Sequence, residues 1–139
     1  MYIVPAKKDN DRISRGRASG GLATIWKKSI TKYVSQVKCG NYRLQATKFS
    51  FPNCPLLIIN SYFPCDPQVE NFDDSELVTL LADIRSTMLQ ANCNNVLLAA
   101  DMNCHFRKEN RFTNTVQAVL EEMGLVVMGR TRTPVRTST

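Results

Sequence analysis

Two short runs of purely apolar residues constrain this chain most: Leu56-Leu57-Ile58-Ile59 and Val96-Leu97-Leu98-Ala99-Ala100. Neither run has a polar residue at alternate positions. Each therefore reads as a strand covered on both faces. Pro64 and Pro67 stop the first run just beyond Tyr62, and Asp101 ends the second. Between them, Leu77, Leu80, Leu81, Ile84 and Met88 recur at helical spacing and make one apolar stripe. Asp73, with Glu76 three residues later, resembles a capping box at the start of that helix. Residues 92–95 read as a turn. Strands and helices that are apolar on their inward sides require a layered α/β domain.

The flanking segments extend the pattern. Gly20-Gly21 leads into Leu22–Trp26, a short strand candidate, and Tyr33–Val37 alternates as a half-buried strand does. Gly40-Asn41 is a turn signal. Tyr42, Leu44 and Ala46 then alternate with Arg43, Gln45 and Thr47, which suggests an antiparallel partner strand. Downstream, Phe112, Val116, Val119, Leu120 and Met123 form the stripe of a second helix. Gly124 sits where a helix C-terminal glycine belongs. Leu125–Met128 starts a further strand. Residues 1–19 are polar and basic and read as a loop or frayed terminus, residues 20–128 as the domain, and residues 129–139 as a disordered tail.

The chain has 139 residues. One domain of that size buries roughly two thirds of its unfolded surface. Its 43% hydrophobic and 22% charged residues exclude wholesale disorder. The net charge of +6 favours polyanionic partners, because Lys and Arg that neutralise phosphates release condensed counterions. The cations crowd the stretch from Lys7 to Lys32, which could track a DNA backbone, and return as Arg130, Arg132 and Arg136. Five cysteines without a Cys-x-x-Cys pair give no zinc ribbon or redox motif and read as reduced thiols. No apolar run approaches a membrane span, and Met1–Pro5 is too short for the core of a secretory signal. The expected address is intracellular, cytoplasmic or nuclear. P-loop, Rossmann, Gly-x-Ser-x-Gly and His-Glu-x-x-His motifs do not occur.

Both central strands end in polar residues, Asn60-Ser61-Tyr62 and Asp101-Met102-Asn103. If the second strand stays extended, Asp101 and Asn103 point to one side. A carboxylate and a carboxamide would then share the C-terminal edge of a sheet, where α/β proteins commonly bind ligands. His105 reads as a loop histidine beside that edge. Cys104 and His105, as neighbours, face opposite ways and make a poor nucleophile–base pair. Trp26 and Phe63 read as core or interface residues.

These residues carry a family resemblance. Gly20–Trp26 looks like a Gly-Gly-Leu-Ala-Ile-Leu-Trp stretch, Leu57–Pro64 an Ile-Asn-Val-Tyr-x-Pro strand, and Ala99–Asn103 a Gly-Asp-Phe-Asn motif. Phe112-Thr113-Asn114, leading to Glu121–Leu125, resembles the segment that follows. In this order they resemble the endonucleases of non-LTR retrotransposons, within the endonuclease/exonuclease/phosphatase superfamily, over residues 16 to about 128. The resemblance implies a deoxyribonuclease I-like two-sheet α/β sandwich and magnesium-dependent cleavage of DNA phosphodiesters. Carried over by motif, Asp101 orients and activates the attacking water. Asn103 positions that water or binds the phosphate, and Tyr62 contacts the phosphate.

The sequence also departs from that pattern. The family's upstream Asn and metal-binding Glu have no counterpart in residues 1–19, and its terminal Asp-His pair has none after Met128. His105 lies too close to Asn103 to replace that histidine. Three readings follow: a magnesium-dependent DNA endonuclease, a catalytically inactive retroelement remnant truncated at both ends, and a basic nucleic-acid-binding module without chemistry. A partial sandwich is also expected to expose sheet edges and to aggregate or take a partner.

Overall fold

The computed structural model describes residues 1–5, 21–65, 74–107 and 109–128. They form a mixed α/β structure with a four-stranded and a two-stranded sheet. In chain order the elements are β1 (Tyr2–Val4), β2 (Leu22–Thr24), a 3-10 helix (Lys28–Tyr33), β3 (Val34–Val37), β4 (Leu44–Ser50), β5 (Pro55–Tyr62), α1 (Ser75–Ala91), β6 (Val96–Asp101) and α2 (Arg111–Glu122). The larger sheet runs β3-β4-β5-β6, with β6 parallel to β5 and the other neighbours antiparallel. That parallel pairing follows from the long return between the two strands, which contains α1.

One face of this sheet is dry. Leu44, Ala46, Leu57 and Ile59 join the α1 stripe (Leu77, Leu80, Leu81, Ile84) and the α2 stripe (Phe112, Val116, Leu120) in one buried cluster. The helical periodicity predicts these contacts correctly. The ends of the helices follow local chemistry. Asn110 caps α2 by accepting from the Thr113 N–H at 2.8 Å. Gly124 ends it at φ +73°, with Gly124 N–H bonded to Glu121 O and Leu125 N–H to Leu120 O. Asn92 ends α1 in the left-handed region at φ 44°.

The expected capping box pairs Asp73 with Glu76. Asp73 lies outside the described residues, and the N-cap is Asp74, whose side chain makes no cap bond. Asp74 instead pairs with Arg111 at 2.7 Å, and Glu76 pairs with Arg43 at 2.7 Å.

The opposite face carries the smaller sheet. Thr24 Oγ1 donates to Gln45 Oε1 at 2.6 Å, and Asn60 Nδ2 donates to the Ala23 carbonyl at 3.2 Å. Gln45 and Thr47, polar positions of the alternating strand, are therefore buried rather than solvated. Among the described residues, Gln45 Nε2 and Thr47 Oγ1 have no hydrogen-bond partner. Tyr2–Val4, expected to be loop, is the strand that completes this small sheet, through pairing with Leu22–Thr24.

Two strand expectations need correction. Val96–Asp101 is a strand, but it is not covered on both faces: alternate residues are exposed, and Leu97 is 48% exposed. Among the described residues no strand pairs with its outer edge, and β1–β2 sits over β4 and β5 instead. Leu125–Met128 is not a strand; Val126 and Met128 are exposed, and the described residues give the segment no ladder to join. The expected tail, 129–139, lies outside the described residues. No helix among the described residues is long and apolar enough to cross a membrane.

Candidate functional site at the carboxyl ends of the two parallel strands

Parallel pairing brings the carboxyl ends of β5 and β6 to one edge. Tyr62 and Asp101 are register partners there, so their side chains share a face of the sheet. The ladder continues one step further, with the Phe63 N–H donating to the Asp101 carbonyl at 2.9 Å.

Extension ends at Asp101, so the alternation expected to align Asp101 with Asn103 does not persist. Asn103 takes the left-handed region at φ 45°, which Asn tolerates better than most residues. Its N–H donates to Asp101 Oδ1 at 3.1 Å, and its Nδ2 donates to the Phe63 carbonyl at 2.7 Å. Asn103 therefore reaches the same rim by a turn that crosses back to β5. Its side chain ties the two strand ends together.

Tyr62 is half-buried and Asp101 exposed. A cavity of about 980 Å³ opens beside Asp101 along the outer edge of β6, lined among others by Asp101, Asn103, His105, Leu97 and Val127. His105 is exposed, and its Nδ1 accepts from the Arg107 N–H at 3.3 Å, a local turn contact. Cys104 packs partly buried against the core. Phe63 is fully buried; Trp26 stacks edge-on against Tyr2 at 5.0 Å between ring centroids. Of the basic run, Lys27, Lys28 and Lys32 are exposed around the 3-10 helix, while Lys7, Lys8, Arg12, Arg15 and Arg17 lie outside the described residues.

The sequence reading missed one cluster. The Arg43 guanidinium lies over the Tyr62 ring at 5.4 Å and over the Tyr42 ring at 5.1 Å. Glu76 Oε1 accepts from Arg43 Nε at 2.7 Å and from the Tyr42 hydroxyl at 2.8 Å. Burial and the Glu76 carboxylate both push the Tyr42 phenol above its ordinary pKa. Burial pulls Arg43 down, but its bond to Glu76 and that residue's charge outweigh this and hold the guanidinium protonated. Nothing in the spacing of Arg43 and Glu76 announces the pair; it exists because α1 lies across the start of β4.

A magnesium ion needs oxygen ligands, usually one or two carboxylates with water and substrate phosphate completing the shell. Asp101 is the carboxylate at this rim. Among the described residues no group of three His, Cys, Asp or Glu could hold a metal ion. The described residues do not by themselves build a magnesium site, and the chemistry below uses the side chains alone.

Compared with known proteins, the chain matches no protein-family model, no curated protein and no solved structure.

Proposed function

We propose that the chain carries the framework of a phosphodiesterase domain of the endonuclease/exonuclease/phosphatase kind, with a deoxyribonuclease I-like sandwich and DNA as the substrate class. One observation carries this reading: Tyr62 and Asp101 are register partners on adjacent strand ends, and Asn103 is bonded back to Phe63. Of the three polar residues that resemble the family's motifs, Asp101 and Asn103 line an open cavity, and Tyr62 is the register partner of Asp101. The two-sheet arrangement with helices on one face supports the same reading.

The chemistry follows from the groups. A phosphate diester repels nucleophiles by its charge, so donors and an aligned water must act together. The Asp101 carboxylate accepts a proton from that water. The Tyr62 hydroxyl donates to a phosphate oxygen. Asn103 gives one amide N–H to Phe63 and keeps the other, with Oδ1, for water or phosphate. In the family this resembles, magnesium supplies further charge neutralisation when bound.

The test is plasmid nicking in magnesium buffer by the wild-type chain and by Asp101→Ala. The expected loss in the variant is on the order of 100-fold, the scale of removing one polar group from a phosphoryl or acyl transfer site. Equal nicking by the two proteins ends the proposal.

A second reading has its own observation. Asp101 Oδ1 and Asn103 Nδ2 both serve the turn itself, accepting from a backbone N–H and donating to a carbonyl. A remnant that retains these residues for structure, and binds nucleic acid only through its charge of +6, would show this arrangement without activity. Salt-titrated DNA binding unaffected by Asp101→Ala, in the absence of nicking, would favour it.

A further inference from the structure

The three ion pairs among the described residues are not alike. Arg85–Glu122 and Arg111–Asp74 are made by arginines whose side chains are 57% and 73% exposed, whereas Arg43 is 12% exposed. Exposed pairs contribute little to stability. Covering most of the Arg43 side chain costs desolvation that a bond to the half-exposed Glu76 recovers only with good geometry, and such a pair is better explained by the arrangement it fixes.

What Arg43 fixes can be read from its neighbours. Its carbonyl accepts from the Tyr62 N–H at 3.1 Å and from Ser61 Oγ at 3.0 Å. Its guanidinium lies 5.4 Å from the Tyr62 ring centroid. Glu76, on the first turn of α1, holds the guanidinium through Nε at 2.7 Å. Main chain and side chain of one arginine therefore engage main chain and ring of one tyrosine. A planar guanidinium stacks on an aromatic ring, which an ammonium does less well. A phenol that must meet a phosphate oxygen works best when its rotamer is set beforehand.

We infer that Arg43, held by Glu76, is the positioning residue for Tyr62 at the strand-end rim. The inference rests on the phosphodiester reading for its purpose, but not for its geometry. Glu76 holds the guanidinium, the guanidinium lies over the ring, and the ring belongs to the register partner of Asp101.

The experiment uses the full chain labelled with 3-fluorotyrosine, in wild-type form and as Arg43→Met, Arg43→Lys, Glu76→Gln and the control Arg85→Met. The Tyr62 fluorine signal is the one lost in Tyr62→Phe. Binding of a short DNA duplex is followed by anisotropy on the same proteins, and a thermal melt accompanies each. Arg43→Met and Glu76→Gln should shift or broaden the Tyr62 signal, and Arg85→Met should leave it in place. Duplex affinity should fall by up to about 100-fold in Arg43→Met, the scale of a misplaced contact group. Arg43→Lys should recover only part of that loss, and Arg85→Met should lose far less for the same change in charge.

Glu76→Gln retains the arginine, so it carries the test if Arg43→Met fails to fold. A Tyr62 signal unmoved by Glu76→Gln, with or without a folded Arg43→Met, overturns the inference whatever the DNA result. A signal that moves while duplex affinity stays at the wild-type level overturns the positioning role alone. A wild-type chain that binds no duplex overturns the phosphodiester reading, and the role with it.

Discussion

The two faces of the four-stranded sheet are built from the same strands and behave differently. On the helix side, Leu57 and Ile59 of β5 meet Leu44, Ala46 and the apolar stripes of both helices. On the other side, Ile58 and Asn60 of the same strand share a face with Gln45 and Thr47 of β4, under a sheet of only two short strands. Ile59 is fully buried, Ile58 only partly. A residue's place in the layers, rather than its hydrophobicity, decides how much it holds.

That contrast can be broken most directly by truncation. Ile59→Ala should destabilise the chain by about 2–5 kcal/mol, the usual range for a buried Ile. Ile58→Ala should cost clearly less. Urea unfolding of both variants checks the ranking, and equal losses would mean that the two faces are equally packed.

Thr47→Val sharpens it from the other direction. The Thr47 hydroxyl is buried without a partner among the described residues, and a buried unsatisfied group costs about 1–3 kcal/mol. Replacement by a methyl of similar shape should raise stability by roughly 1 kcal/mol in the same titration. Destabilisation instead would reveal that the hydroxyl is satisfied.

The outer strand gives a smaller effect. Leu97 lies on the less covered face of β6 and is 48% exposed. Leu97→Lys should change stability by no more than about 0.5 kcal/mol, as exposed substitutions do. It should also lower self-association in sedimentation, since a lysine on an uncovered edge opposes strand addition. Unchanged association would place any sticky surface elsewhere.

Cys39 probes the helix side without altering it. Burial raises its thiol pKa above the ordinary value, opposed in part by its bond to Thr87. Because the folded state favours the protonated thiol, this contribution is fully present below the ordinary thiol pKa. It is lost as pH rises through the raised value. Near pH 8, alkylation followed by mass spectrometry should label exposed Cys54 and Cys65 before Cys39. Equal labelling would mean that the helix side opens readily.

Much of the helix side was legible in the residues because its signals are local. The stripe from Leu77 to Ile84, the Phe112 stripe and the glycine at 124 each sit within a few turns of chain. The Gly40-Asn41 break and the run into Tyr62 were equally plain. The other side was not legible. Gln45 and Thr47 look solvent-facing in any alternating pattern, and only a strand more than twenty residues away buries them. Val96–Ala100 is as apolar as a central strand, yet its position at the end of the sheet is a property of the whole fold. At the candidate site, Asp101 and Asn103 lie together, but not for the geometric reason expected of an extended strand. The backbone turns at Asn103, and a bond to Phe63 supplies the proximity that extension was expected to give. The Arg43–Glu76 pair left no trace because it joins residues 33 apart through the placement of a helix.

The peptide groups on either side of the Phe63 side chain are gripped from a segment about 40 residues downstream: its N–H is held by Asp101 and its carbonyl by Asn103. Because the two strands run the same way, tension along the chain loads this lacing in shear, all bonds at once, rather than unzipping it one bond at a time. Native-state exchange should therefore find the Phe63 amide among the slowest in the molecule, at the very edge where strand ends ordinarily fray.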